Sequence, residues 1–217
     1  MESVPALTFD LNQRFMTDRQ SSFWTDFLLV LVTCGIYGFY ILYKLLERRQ
    51  QHFERMVAFR WHLIEVLRER ARARTGDFGQ DLQELERLHA VATEGDRSGD
   101  KTPVVWLVMA IAGFVPATYY AMHFLNHDFH NHEAAEAAFL GKAAELMGKL
   151  QMGWQPRVEP AVPARGFMGF FLLTAVTFGI YGVYWWYTLI TDPNRHFGAH
   201  SIWEAGLSAE LATLSPA

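Results

Sequence analysis

Three uncharged, strongly apolar segments constrain this chain more than any other feature. The first runs from Phe27 to Tyr43 between Asp26 and Lys44, with Phe23, Trp24, Leu45 and Leu46 extending its apolar surface. The second, Pro103 to Leu125, contains no Asp, Glu, Lys or Arg, and the third, Gly166 to Ile190, is uncharged between Arg165 and Asp192. At ~1.5 Å per residue each could cover the ~30 Å hydrocarbon layer of a bilayer, where a backbone without water must pair internally as helix. Asp10, Asp18 and Asp26 precede the first segment where a cleaved leader would be basic, so the segment reads as a retained span. The expected fold is therefore an all-α integral membrane protein with three transmembrane helices, at 23–46, 102–125 and 166–190. Between them lie an N-terminal tail (1–22), a helical hairpin (47–101), a helix with a Pro-rich linker (126–165) and a C-terminal tail (191–217).

Composition agrees with apolar spans averaged against polar arms: 51% of residues are hydrophobic, yet the mean hydropathy is only +0.02. A net charge of -4 argues against a nucleic-acid partner. The single cysteine, Cys34, excludes an intrachain disulfide and a thiolate-rich metal cluster. Twelve of the 19 Lys and Arg residues lie between Lys44 and Lys101. By the positive-inside rule that arm is cytoplasmic, which puts the N-terminus outside and the C-terminus inside.

The chain also repeats itself. Val32-Thr33-x-Gly35-Ile36-Tyr37-Gly38-x-Tyr40-x-x-Tyr43-x-Leu45 recurs as Val176-Thr177-x-Gly179-Ile180-Tyr181-Gly182-x-Tyr184-x-x-Tyr187-x-Leu189, at a constant offset of 144. The match continues through His52-Phe53 and His196-Phe197, and more faintly through Phe59 and Trp203, Leu63 and Leu207, Leu67 and Leu211. With one span between them, the copies would cross in the same direction as a parallel repeat. Gly35, Gly38, Gly179 and Gly182 would form small-residue faces for helix packing. Tyr37, Tyr40, Tyr43, Tyr181, Tyr184, Trp185, Trp186 and Tyr187 would anchor at the headgroups, and Arg48, Arg49 and Arg55 would meet lipid or a partner.

The string Thr-x-Gly-Ile-Tyr-Gly-x-Tyr, followed in the second copy by Trp185-Trp186-Tyr187, resembles the prokaryotic membrane family known as domain of unknown function 4234. The resemblance covers about a third of the chain. It implies a bacterial inner-membrane location and assigns no catalytic residue.

Candidate chemistry is sparse. His123, His127 and His130 would share a helical face and could bind a divalent metal, with Asp128, His132 and Glu136 behind them; the competing reading is a polar, interfacial helix end. His52 and His196, equivalent in the repeat, are either two solvated histidines or a facing pair, as haem ligands or proton-responsive groups. No phosphate-binding loop, nucleophile elbow or dinucleotide fingerprint is present. The leading expectation is a non-enzymatic structural or accessory subunit, with no cofactor, that contacts membrane lipids and other membrane subunits or its own copies. The alternatives are a metal- or haem-binding redox or sensor protein and a small oligomeric channel or permease.

Overall fold

The computed structural model describes residues 3–99, 101–113 and 115–214, and within them the regular structure is helical throughout. The order is α1 (Ser3–Thr17), α2 (Phe23–Val32), α3 (Ile36–Arg72), α4 (Gly79–Asp96), α5 (Pro103–Ile111), α6 (Val115–Lys149), α7 (Phe167–Val176) and α8 (Ile180–Leu214).

The expected transmembrane helices are not there: no helix among the described residues is long and apolar enough to cross a membrane. Each apolar segment is split into a short arm and the start of a long helix, α2 with α3, α5 with α6 and α7 with α8. The reason lies in the repeated motif. Cys34 and Gly35 adopt left-handed conformations (φ 49° and 92°), as do Phe178 and Gly179 (φ 50° and 92°). The Gly35 amide donates to the Val30 carbonyl at 2.8 Å and the Gly179 amide to the Thr174 carbonyl at 2.8 Å, the pattern that closes a helix on a left-handed residue. The Thr33 hydroxyl donates to the Leu29 carbonyl (2.7 Å) and accepts the Tyr37 amide (3.0 Å), tying off one helix while opening the next. Thr177 does the same with Leu173 (2.7 Å) and Tyr181 (2.9 Å). The motif is a stop-and-reverse signal. In the second segment Gly113 (φ 79°) serves the turn, and Pro116 sits in the first turn of α6, where its missing N–H costs nothing.

Three helical hairpins result, each closed by a polar clamp. Asp18 binds His52 and Arg55 below the first (2.9 and 2.6 Å), Lys101 binds Asp128 below the second (2.8 Å), and Arg165 binds Asp192 below the third (2.7 Å). Above the clamps, the bases of the hairpins pack together through Phe23, Ile41, Leu45, Phe124, Trp185 and Leu189. Below them α3, α6 and α8 continue into a helical body, with α1 laid against α3 and α4 against α3 and α6. Its core includes Leu7, Phe59, Leu63, Leu85, Phe139 and Leu207. Repeat partners meet there, the Phe59 and Trp203 rings at 5.5 Å.

This arrangement also corrects the sidedness. The N-terminal segment contacts the C-terminal helix (Arg14 to the Ser201 carbonyl, 3.0 Å), and Asp81 of the 47–101 arm pairs with Lys142 of the 126–165 connection at 2.7 Å. Segments assigned to opposite sides of a membrane are parts of one body.

Gly182 lies close to the other arm of its own hairpin, where a Cβ would be 3.1 Å from Thr174 Cγ2, whereas a Cβ on Gly38 would be 4.0 Å from Val30 Cγ2, an ordinary contact. Gly35 and Gly179 have nothing within 4 Å, so their role is conformational. Gly179→Leu is expected to destabilise the protein by about 1–2 kcal/mol, because a side chain at φ 92° crowds the carbonyl. Gly141→Ala, in the interior of α6 with open space around it, should instead stabilise by about 0.5–1 kcal/mol. Thermal unfolding of the pair checks this; equal effects would refute the turn assignment.

Candidate metal centre

Just below the hairpin clamps, the three long helices bring four histidines and a carboxylate together. His52 comes from α3, His132 and Glu136 from α6, and His196 and His200 from α8; the i,i+4 spacings put each pair on one helical face. All five are at most 2% exposed.

Each imidazole is held from behind by its own carboxylate. Nδ1 of His52 meets Asp18 (2.9 Å), that of His132 meets Asp96 (2.7 Å), that of His196 meets Glu133 (3.1 Å) and that of His200 meets Glu204 (3.3 Å). An ionised carboxylate only accepts, so each ring donates from Nδ1. In the neutral rings that leaves an Nε2 lone pair aimed inward. The Nε2 atoms of His52 and His196 lie 3.3 Å apart. Glu136 Oε2 is 2.8 Å from His200 Nε2 and 3.9 Å from His196 Nε2. One ligand atom from each of His52, His196 and His200 lies within 4.8 Å of the others, as does one from each of His132, Glu136 and His196. His132 Nε2 and Glu136 Oε1 are buried without a hydrogen-bond partner.

The electrostatics are unbalanced in one direction. Five buried carboxylates, those of Asp18, Asp96, Glu133, Glu136 and Glu204, surround the histidines. Three guanidiniums answer them: Arg55, bonded to Glu204 (2.7 Å) and Asp18 (2.6 Å), Arg60, bonded to Asp96 (2.6 Å), and Arg14, 3.8 Å from Glu204. Burial drives the pKa of His52 well below its ordinary value, reinforced by the other histidines and Arg55, and burial also lowers that of His196. Both are therefore neutral, and no proton is left to bridge their facing lone pairs. Burial works against a charge on His200, but Glu136 and Glu204 outweigh it and push its pKa up to about 9. Burial likewise opposes ionisation of Glu136, and the surrounding histidines, His200 foremost, override it and hold the carboxyl far below the usual range.

Facing lone pairs, excess negative charge and unpartnered buried ligand atoms are what a divalent cation resolves. A tetrahedral ion with ~2.0 Å bonds to nitrogen separates its ligands by ~3.3 Å, the spacing His52 and His196 already have. Carboxylates behind metal-bound imidazoles fix ring orientation and tautomer. Four imidazoles and one carboxylate, with no thiolate or thioether among them, suit a first-row divalent ion. Haem does not fit: the rings of Phe197, His200 and His132 lie 4.7, 5.0 and 5.1 Å from that of His52 and fill the space a macrocycle would need.

The structure separates the histidines singled out by local spacing. His123 and His127 (ring centroids 5.6 Å apart) face a side cavity of about 270 Å³, and His130 turns away to the Val162 carbonyl at 2.8 Å. His132 and Glu136, expected behind them, belong to the buried centre instead. His52 and His196 do face each other. His200 and Glu204 escape a reading by motif, although His196-x-x-x-His200-x-x-x-Glu204 is a ligand-type spacing on one helical face.

Arg48, Arg49 and Arg55, expected at headgroups or a partner, are at most 5% exposed. Arg48 donates to Asn194 (2.9 Å) and the Leu189 carbonyl (3.1 Å), Arg49 donates to Asp128 (2.6 Å), and Arg55 belongs to the centre. Of the expected interfacial aromatics, Tyr40 and Tyr184 are exposed, whereas Trp185 is 2% exposed and part of the core. Tyr37, Tyr43, Tyr181, Trp186 and Tyr187 are half-buried.

No curated protein and no solved structure matches the chain. A family model does match, over the third hairpin and the part of α8 that supplies His196, His200 and Glu204. Residues 165–212 match the model of the domain of unknown function DUF4234, the family the sequence resembles.

Proposed function

We propose that this protein binds one divalent first-row transition-metal ion in its buried centre, with His52, His132, Glu136, His196 and His200 as the ligands. The observation that carries the reading is the common orientation of the four imidazoles, each with Nδ1 on its own carboxylate and Nε2 turned inward. The ion would join α3, α6 and α8, and with them both copies of the repeat. A nitrogen-rich, water-poor site of this kind suits a redox or sensing role, and that is preferred to the purely structural subunit.

Titration of metal-free protein with Co²⁺ tests the reading through the d–d spectrum. One equivalent is expected to saturate the bands. His52→Ala and His200→Ala should abolish them, and His123→Ala and His127→Ala should leave them unchanged. Failure to bind Co²⁺ or Zn²⁺, or loss of binding in the His123 and His127 variants alone, would overturn it.

A further inference from the structure

The three hairpins raise a separate question, because their outer ends are uncovered. Val32 is 80% exposed, Ile36 73%, Val176 68%, Phe178 99% and Ile180 76%, and Ile111 and Val115 at the second tip are 60% and 59%. Such a run of apolar surface on all three tips marks an interaction site.

We propose that the three hairpins insert side by side into a single leaflet of a lipid bilayer, entering and leaving through the same face. This does not depend on the metal centre. Four observations point to lipid. First, the arms are of leaflet size: α2 and α7 have 10 residues and α5 has 9, so each is ~15 Å long, half of the ~30 Å hydrocarbon core. Second, apolar side chains are exposed on both arms of the hairpin. In the first, Leu28, Leu29, Leu31, Val32, Ile36 and Phe39 are all exposed. At ~100° per residue the four on α2 spread over about 160° of its circumference, the side opposite Val30, which faces Gly38 of α3.

Third, the donors at the first and third tips are paired internally, as hydrocarbon demands of backbone polar groups. The amides of Cys34 and Gly35, and of Phe178 and Gly179, all have carbonyl partners in their own hairpins, and the hydroxyls of Thr33 and Thr177 are bonded within theirs. Fourth, polarity is graded along each hairpin. Trp24, Tyr40, Tyr120 and Tyr184 are exposed nearer the bases, the place for amphipathic rings at a membrane interface. Formal charge is confined to the base half of each hairpin, beginning with Asp26 in the first turn of α2, Lys44, Lys101 and Arg165.

The hairpins are also fixed beside one another. Asn194 accepts from Arg48 (2.9 Å) and donates to the Ser21 carbonyl (2.8 Å), linking the bases of the first and third. The Phe23 ring lies 5.1 Å from Tyr187 and the Tyr119 ring 5.4 Å from Phe171, so the third hairpin touches both others. The body and its ionic network then stay outside the bilayer.

Cys34, exposed at the first tip, is a built-in probe. An environment-sensitive fluorophore on Cys34 of the full-length protein, reconstituted into phosphatidylcholine and phosphatidylglycerol vesicles, should brighten several-fold and be quenched best by lipids with a mid-chain nitroxide. On a Cys34→Ser background, Gln20→Cys and Gln50→Cys should react with a membrane-impermeant maleimide from the same side. Val32→Lys and Phe178→Lys, checked for native helicity, should each weaken vesicle flotation at least tenfold. A probe that stays in water, with the apolar tips covered in a detergent-free oligomer, would replace lipid by a second copy. Labelling of Gln20→Cys and Gln50→Cys from opposite sides would also overturn the proposal.

Discussion

Arg55→Ala is expected to destabilise the protein by about 3–5 kcal/mol, the usual consequence of removing one partner from a buried ion pair. Arg55 is fully buried and forked, with one nitrogen on Glu204 (2.7 Å) and another on Asp18 (2.6 Å). Those carboxylates also hold His200 and His52, so the substitution leaves two buried negative charges beside a centre already rich in them. For a chain of this size ~1 kcal/mol corresponds to roughly 2–4 °C, so unfolding should move down by about 10 °C. Arg55→Lys should recover part of the loss, since it restores the charge without the fork. Thermal unfolding of metal-free protein checks the series; a change below about 1 kcal/mol for Arg55→Ala would show that the carboxylates are not relying on it.

The second large effect concerns the residues behind the ligands. His196→Ala should abolish stoichiometric metal binding, because His196 lies within reach of both ligand sets. Glu133→Gln and Asp96→Asn should each weaken binding by about 10–100-fold while the ion still binds with the same stoichiometry. Glu133 accepts from His196 Nδ1 and from the amides of Ala161 and Val162, and Asp96 accepts from His132 and Arg60. A competition titration against a metal-sensitive dye separates the two classes. Equal loss in all three variants would indicate general collapse of the site and count against positioning roles for Glu133 and Asp96.

Some of this is legible in the sequence. The offset of 144 makes His52 and His196 equivalent, and their Nε2 atoms lie 3.3 Å apart; the same offset pairs Phe59 with Trp203, whose rings meet across the core. α3 runs unbroken from within the first apolar segment to Arg72, joining that segment to the arm expected as a separate hairpin. The hairpin turns are not legible, because a Thr-x-Gly string is ordinary in a spanning helix and says nothing of the left-handed φ that Cys34 and Phe178 adopt without being glycine. Nor can periodicity place the arginines. Their partners Asp18, Asp128 and Glu204 lie 37, 79 and 149 residues away, beyond any helical repeat. Grouping His123, His127 and His130 on one face rests on local spacing, whereas the centre draws one ligand from α3 and pairs from α6 and α8.

The most direct measurement is elemental analysis of untagged protein purified without a metal-affinity step, as isolated and after incubation with Fe²⁺, Mn²⁺, Co²⁺ and Zn²⁺ followed by desalting. The buried centre predicts about one transition-metal ion per chain in at least one of these preparations, and none in the variant His52→Ala, His196→Ala, His200→Ala. Metal-free protein in every preparation, or metal retained by that triple variant, would contradict it.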